Sequence, residues 1–423
     1  MGLLFLILML VAICFFVLGK KSGAILALAA VFSDMAGIIL EAAGIEGINM
    51  LFRYLLFLIV IVMNIDRLKC GIRRLIADST SIMLYAVIIT MLVLNLYVVG
   101  RARNDSDVAD FQLNVILRVL IPYIVVILAL TDKKIVKDFC MSFLVWGGLF
   151  FATFFLLIGM DGVVIEDRMT LEEATGIGPI ELSRFAGIIL MSCLGFLLGA
   201  KTRIQPLFIA MILIGLFLLF LSSQRGTILG VLVSVMVFLY FNLAKKGHPG
   251  TLVIVAGFLL IIVYLFLEQF HFSFLSRFKE LEDIEESNRY LDYGFSWAAF
   301  SQNHFFWGLG SRGYFYFMDE LREYPHSFIL EQMVEYGIVG LCFAVVLIVQ
   351  SVKCCIRLFR NSLCPDFIKI VPAMWIVLLF SVLVSGNFLS NAQFFVTTAA
   401  LLAVYYCYKD DYESQESVVH KRT

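Results

Sequence analysis

The feature that most constrains this chain is a series of apolar runs along nearly its whole length, each roughly 17–22 residues long, close to the 20 or so helical residues that cross a bilayer. Of the 423 residues, 61% are hydrophobic and 15% are charged, which is more apolar surface than a soluble domain can bury. We therefore predict an all-α fold, a polytopic membrane helix bundle. The predicted spans cover residues 2–18, 23–42, 49–64, 82–100, 113–130, 139–160, 184–200, 205–221, 226–243, 250–267, 327–349, 367–386 and 391–408.

The distribution of Lys and Arg predicts the orientation of these spans. One set of connections and the C-terminal tail hold nineteen basic residues, whereas the alternate short connections hold four. Because cytoplasmic loops carry the excess of Lys and Arg, the first set is cytoplasmic and the C-terminus is inside. The first two and the last two spans are the weakest, so both twelve and thirteen spans remain open. Thirteen spans put the N-terminus outside, and twelve put it inside.

One long polar segment, residues 268–326, interrupts the apolar pattern on the external side. Residues 289–300 (RYLDYGFSWAAF) predict an amphipathic helix, and WGLGSRG at 307–313 predicts a tight turn close to a ligand or another backbone. We divide the chain into amino-terminal transmembrane helices at 1–183, a central region at 184–349 that includes this loop, and carboxy-terminal helices with a cytoplasmic tail at 350–423.

Four arginines lie within spans that run from outside to inside, in the half of the bilayer nearer the outside. A lone charge inside a membrane costs at least about 2.5–3.5 kcal/mol, so such residues usually face the bundle interior or a cavity. Asp34 and Glu41 are candidate counter-ions, and the favoured explanation for the first two arginines is that they pair with these acids to hold helices together or extend to the membrane surface. A functional role is favoured for the last two, which begin helices beside polar loops. The four are Arg53, Arg118, Arg184 and Arg225.

The surroundings of these arginines suit an anionic ligand. Arg225 lies in LSSQRGTILG, where small residues allow close approach and a helix begins with its positive dipole end outward. Arg184 ends the segment GIGPIELSR. Guanidinium groups match phosphate oxygens in a two-pronged fork. Several of them at one membrane face suit a lipid-linked phosphate or diphosphate, and suit an anionic transport substrate almost as well.

His326 follows Pro325 at the predicted mouth of the helix 327–349. An imidazole that titrates near neutral pH is the usual general base for activating a hydroxyl, although a histidine here also fits a purely capping role. Glu331 and Glu335 share one helix face. Gly337 and Gly340 predict a thinned helix packed closely among others.

Three stretches together resemble the O-antigen ligase and O-antigen polymerase superfamily over roughly residues 184–349: SSQRG, RYLDYGFSWAAFSQNHFFWGLG and HSFILEQMVEYGIVG. The resemblance implies a metal-independent, inverting glycosyltransferase without a cofactor, at the periplasmic face of a bacterial inner membrane. Its donor would be a glycan on undecaprenyl diphosphate. The acceptor would be lipid A–core in a ligase, or a second lipid-linked repeat unit in a polymerase, with a chain-length regulator as a candidate partner.

Matching positions imply roles for individual residues. His326 would be the catalytic base, and Arg184, Arg225 and Arg289 would bind the diphosphate. Further candidates for the site are Arg312, Glu335, Arg118 and Arg53. Gln224 precedes the arginine in SSQRG, a spacing longer than the family often has, which leaves the register of Arg225 open.

Other functions stay open at this point. Polymerase is chosen narrowly over ligase, because the external loop is moderate in length and nothing marks a dock for lipid A–core. A flippase or other secondary transporter is the next alternative, although the polar residues crowd toward one face rather than the midplane that transporters use. A non-catalytic scaffold is the third, and it leaves the arginines unexplained. Nothing in the composition indicates a nucleic-acid partner.

Overall fold

The computed structural model of this chain describes most of the predicted bundle. The residues described are 2–42, 44–45, 47–77, 106–161, 178–199, 205–222, 224–244, 288–302, 305–318, 324–384 and 390–420. Within these ranges the chain is helical and contains no β-strand. The helices are α1 Gly2–Leu18, α2 Ser22–Ala30, α3 Ser33–Ala42, α4 Asn49–Met63, α5 Leu68–Ala77, α6 Ser106–Val115, α7 Ile121–Ala129, α8 Lys133–Asp161, α9 Pro179–Gly199, α10 Gln205–Leu221, α11 Arg225–Ala244, α12 Asn288–Gln302, α13 Gly313–Phe317, α14 Phe328–Arg360, α15 Ile370–Val384 and α16 Ala392–His420.

The all-α membrane bundle predicted from the apolar runs is confirmed. Four of the described helices, α8, α9, α11 and α14, are long and apolar enough to cross a membrane, and five shorter apolar helices accompany them. Eleven of the thirteen predicted spans coincide with described helices. The other two, 82–100 and 250–267, lie outside the described residues.

The centre of the bundle is α2, whose nine residues are all buried. It packs against α8, where the Trp146 indole N–H donates to the Ala24 carbonyl oxygen over 2.8 Å. The second strongly packed group joins α9, α11 and α15, in which the Ser234 hydroxyl donates to the Ala373 carbonyl oxygen over 2.6 Å. Small residues on these helices allow the close approach expected in membrane bundles.

Two predicted spans are broken rather than continuous. The run 23–42 forms α2 and α3 with an interruption at Val31 and Phe32. The run 327–349 forms part of α14, which is broken at Gly337 (φ 60°, ψ −146°). A third irregularity is a π-helix at Ile116–Leu120, between α6 and α7. Such irregular turns leave backbone groups without their usual partners, so other parts of a membrane protein must supply them.

The two ends of the bundle differ in chemistry. At one end the Arg67 guanidinium pairs with Asp132, the Lys133 ammonium lies over the Tyr408 ring, and the Asn361 amide donates to the Tyr408 carbonyl. This is the end that the excess of Lys and Arg predicts to be cytoplasmic. The opposite end is built from the starts of α9, α11, α14 and α16 and from the C-terminal end of α15, and it carries the predicted site residues.

Candidate functional site

Arg184 lies in the second turn of α9, because the helix begins at Pro179 rather than at the arginine. The side chain is 1% exposed. Its Nε donates to the Ser381 hydroxyl over 2.9 Å, and its two terminal nitrogens donate to the Ser390 carbonyl over 2.6 Å and to Asn391 Oδ1 over 2.7 Å. Arg184 thereby joins α9 to the end of α15 and to the turn that begins α16.

Arg225 is the first residue of α11 and is half-buried. Two contacts tie the start of α11 to α9 and to α15. The hydroxyls of Ser183 and Thr227 are hydrogen bonded 2.9 Å apart, and a Cβ on Gly226 would lie 2.8 Å from the Phe380 carbonyl oxygen of α15. The starts of α9 and α11 therefore lie side by side, as expected if both point toward one face.

His326 lies two residues before α14 and is half-buried. Its backbone has φ 52°, a left-handed conformation that costs energy in a residue other than glycine. Its ring packs edge-on against Tyr324, with 4.5 Å between the centroids, and Arg184 interacts electrostatically with Tyr324. Phe328, next but one along the chain, packs on Phe394 and Phe395 of α16. These contacts bring the histidine to the end of the bundle where Arg184 lies.

A cavity of about 220 Å³ opens at this end, where α2 gives way to α3. Its described lining combines two guanidinium groups, two carboxylates and neutral polar side chains. The lining residues are Ala30, Ser33, Asp34, Arg53, Arg118, Glu181, Ser390, Ala392 and Gln393. Ser390 connects Arg184 with the cavity. Its carbonyl oxygen accepts a hydrogen bond from Arg184, and the residue also lines the cavity. Arg184 therefore braces one wall of the cavity.

The cavity is made by the two helix irregularities. At the break after α2, Arg53 Nε donates to the Ala29 carbonyl oxygen over 3.0 Å, which satisfies a carbonyl of the last helical turn. At the π-helix that carries Arg118, the Tyr54 hydroxyl donates to the Leu117 carbonyl over 2.8 Å. Arg53 is buried and interacts electrostatically with Asp34 and Arg118, whereas Arg118 is exposed. The side chain of Glu41, the other expected counter-ion, lies outside the described residues.

The external loop is fastened to the break in α14. The backbone N–H groups of Leu309 and Gly310 donate to the carbonyls of Val334 and Glu335, and Ile338 N–H donates to the Phe305 carbonyl, each over 2.9 Å. The loop therefore supplies partners for backbone groups of Val334, Glu335 and Ile338 beside the break. A Cβ on Gly337 would lie 2.5 Å from the Phe306 carbonyl oxygen.

This contact corrects one expectation and bears out another. Gly337 does not thin a continuous helix, because its positive φ turns the chain. Only glycine combines that conformation with so close a backbone neighbour. The glycine turn WGLG does lie against another backbone, as its composition predicts.

We call the hydrogen bonds between residues 305–310 and 334–338 the clamp at Gly337. Two further candidate site residues, Glu335 and Arg312, meet beside it. The Glu335 carboxylate, 3% exposed, accepts hydrogen bonds from the Arg312 backbone N–H and the Tyr336 hydroxyl. Ser311 and Tyr336 hydroxyls are 3.1 Å apart. The Arg312 guanidinium lies over the Phe315 ring, 4.6 Å from its centroid, and its backbone has φ 57°. These contacts fasten the loop to α14 rather than to the cavity.

Apart from Arg312 and Glu335, which meet at the external loop, the predicted residues form two neighbouring sets. Arg53 and Arg118 line the cavity, while Arg184, Arg225 and His326 lie on the helix ends beside it. Arg289 is the second residue of α12, and its side chain lies outside the described residues.

Four residues of this region were not predicted from the sequence: Glu181, Tyr324, Asn391 and Gln393. A usable signal was present in SNAQ at 390–393, a polar run at the external start of the last apolar span. Its importance becomes visible only through Arg184, which lies more than two hundred residues earlier than Ser390 and Asn391.

Comparison with known proteins supports the resemblance seen in the sequence. Residues 209–345 match the family model described as O-antigen ligase. The match contains α11, the described part of the external loop and the break in α14. A comparison with curated proteins finds no match to the chain.

Proposed function

We propose that this multi-pass membrane protein, whose residues 209–345 match the O-antigen ligase family model, polymerises lipid-linked oligosaccharide repeat units. The units are carried on undecaprenyl diphosphate, and the product is a surface polysaccharide such as an O-antigen, a capsule or an exopolysaccharide. The reaction takes place at the periplasmic face of a bacterial inner membrane.

The observation that carries this proposal is the cavity with Arg53 and Arg118 on its wall, beside the helix ends of Arg184, Arg225 and His326. Arg53 gives one donor, Nε, to the Ala29 carbonyl. Its terminal nitrogens face no acid within ion-pair distance among the described residues. A diphosphate held between the two guanidiniums would receive charged, two-pronged hydrogen bonds from them, while Asp34 and Glu181 on the same lining offset their net charge.

The chemistry assigned to His326 is proton removal. The acceptor hydroxyl oxygen attacks the anomeric carbon of the donor sugar from the face opposite the diphosphate, which inverts that carbon. The new carbon–oxygen bond forms as the bond to the diphosphate breaks. The hydroxyl proton passes to the His326 imidazole, and the electron pair leaves with the diphosphate, whose growing charge the arginines stabilise without a metal ion.

The strained backbone at His326 supports a functional role for this residue. Left-handed conformations in residues other than glycine persist where surrounding structure holds them, and they concentrate at functional sites. Arg225, at the positive end of the α11 dipole, is assigned to the same diphosphate. Binding by Arg184 and Arg289 stays a prediction, and the three bonds of Arg184 to Ser381, Ser390 and Asn391 give it a bracing role.

Reconstitution in nanodiscs with purified lipid-linked repeat units tests the proposal. We expect glycans of two or more repeat units on a single lipid and release of undecaprenyl diphosphate. Transfer to lipid A–core but not to a second repeat unit would replace polymerase with ligase. Movement of the substrate across the bilayer without bond formation would contradict both enzymes.

The base assignment has its own test, which uses the positive φ of His326. Asn tolerates this conformation better than most residues, so His326→Asn removes the imidazole with little backbone strain. We expect the rate of chain extension to fall by about 10²- to 10⁴-fold, the usual contribution of a general base. A His326→Asn protein that extends glycans at the wild-type rate would remove the assignment.

A further inference from the structure

The external loop carries an uncharged aromatic surface. Residues 293–310 (YGFSWAAFSQNHFFWGLG) contain seven aromatic side chains and no Asp, Glu, Lys or Arg. Six of the seven rings are exposed, and the four most exposed are Trp297 at 63%, Phe305 at 45%, Phe306 at 65% and Trp307 at 60%. We call these four the aromatic shelf. A contiguous exposed apolar patch marks an interaction surface rather than ordinary solvent-facing chain.

Three rings of the shelf are connected through the buried ring of Phe300. Trp297 packs on the buried ring of Phe300 at 6.0 Å between centroids, Phe300 packs on Phe305 at 4.9 Å, and Phe305 packs on Phe306 at 5.2 Å. Its backbone is fixed by the hydrogen bond from Ile338 N–H to the Phe305 carbonyl. The rings are therefore held where α14 resumes after its break.

The length of α14 sets the depth of this point. Residues 338–360 follow the break, and 23 helical residues extend about 34 Å, slightly more than the roughly 30 Å hydrocarbon core. The far end carries Arg357 and Arg360, which belong to the headgroup region. With these arginines at one surface, Ile338 lies at the other, and the shelf lies beside it.

The surface next to the shelf also faces lipid. Along α14, Cys342, Val345 and Val349 are exposed and recur at helical spacing on one face, the face that also contains Ile338. The uncharged shelf therefore continues a lipid-facing stripe at the height of the headgroups. Trp and Tyr are enriched at this depth of membrane proteins, and the shelf contains two tryptophans.

From this continuity we propose that the aromatic shelf is embedded in the interfacial layer of the external leaflet. Its partner is the bilayer itself, where acyl chains meet headgroups, and not a glycan or another protein. This contact, together with the clamp at Gly337, holds the external loop against the membrane surface.

Tryptophan fluorescence provides the test, because two of the four tryptophans belong to the shelf and two are buried in the bundle. Trp146 and Trp375 are buried inside the bundle, whereas Trp297 and Trp307 belong to the shelf. In nanodiscs of phosphatidylcholine brominated at acyl carbons 6 and 7, we expect emission to fall relative to unbrominated lipid by up to about half, the limit for complete quenching of two among four equally emitting indoles. Trp307→Phe and Trp297→Phe should each remove part of this quenching.

A positive control places an indole on the lipid-facing stripe. Val345→Trp in the Trp297→Phe, Trp307→Phe protein should restore quenching by brominated lipid. Equal emission of the wild type in both lipids, with the shelf quenched instead by aqueous acrylamide, would overturn the proposal. Quenching by lipid that disappears when lipid-linked glycan is added would also overturn it, because the shelf would then be a sugar platform.

Discussion

The wall built on Arg184 and the cavity bordered by Arg53 and Arg118 lie side by side, yet they use the same side chain in different ways. Arg184 gives three donors to Ser381, Ser390 and Asn391, so its charge is dispersed within the protein. Arg53 gives one donor to Ala29 and lines open space next to a second guanidinium. Burial alone therefore does not distinguish an arginine that braces helices from one that can bind a ligand. The two are distinguished by how many guanidinium N–H groups remain available to a ligand.

The largest effect we expect is the loss of stability in Arg184→Leu. Three hydrogen bonds within a membrane bundle, at roughly 0.6–1.7 kcal/mol each, give a loss of about 2–5 kcal/mol in the free energy of unfolding. Titration with sodium dodecyl sulfate, followed by circular dichroism, measures this loss. Arg118→Leu is the matched control, because Arg118 is exposed and its removal should change stability by less than about 1 kcal/mol. Equal losses in the two variants would break the comparison.

The next effect concerns activity rather than stability. Arg53→Lys keeps the charge but removes the fork that grips two phosphate oxygens. A charged hydrogen bond is worth about 1.5–3 kcal/mol, so we expect glycan extension to slow by about 10- to 150-fold. Initial rates in nanodiscs, together with the unfolding titration, separate the two effects. A stability loss that accounts for the whole rate change would assign Arg53 to bracing, like Arg184.

The smallest effect sharpens the account of the wall. Ser381→Ala removes the acceptor of Arg184 Nε and leaves the two bonds to the residues that begin α16. We expect a loss of about 0.6–1.7 kcal/mol in unfolding free energy, the range for one bond in a membrane bundle. The Michaelis constant for the lipid-linked substrate should stay within twofold of the wild type. A large rise in that constant without loss of stability would show that the wall itself contacts substrate.

Sequence alone located the elements because hydropathy over about 20 residues is enough to predict a membrane helix. It did not locate the two helix breaks, since an apolar run reads the same whether its backbone is straight or turned. The turn at Gly337 depends on the loop segment 305–310, about thirty residues earlier, which supplies the missing backbone partners. The break between α2 and α3 depends on Arg53, whose Nε bonds Ala29.

The sequence was enough to predict which types of residue form the site. It was not enough to predict which arginine braces helices and which lines the cavity. Arginine at an external helix end marks an anionic site or a bracing point, and pattern alone treats Arg184 and Arg53 alike. Their roles separate through partners distant in sequence, since Ser381 lies 197 residues from Arg184. The polar run at the start of α16 matches no functional motif. The roles of Ser390 and Gln393 are seen only in the structure, where both residues line the cavity.

Direct binding of undecaprenyl diphosphate to the protein in nanodiscs tests the central claim most closely. The cavity account predicts that the Arg53→Lys, Arg118→Lys protein binds this lipid at least about tenfold more weakly than the wild type, as loss of one charged hydrogen bond requires. Its unfolding free energy should fall by no more than the about 0.6–1.7 kcal/mol of the lost bond from Arg53 to Ala29. Unchanged affinity in this stable double variant would contradict the account, because the diphosphate would then bind elsewhere in the bundle.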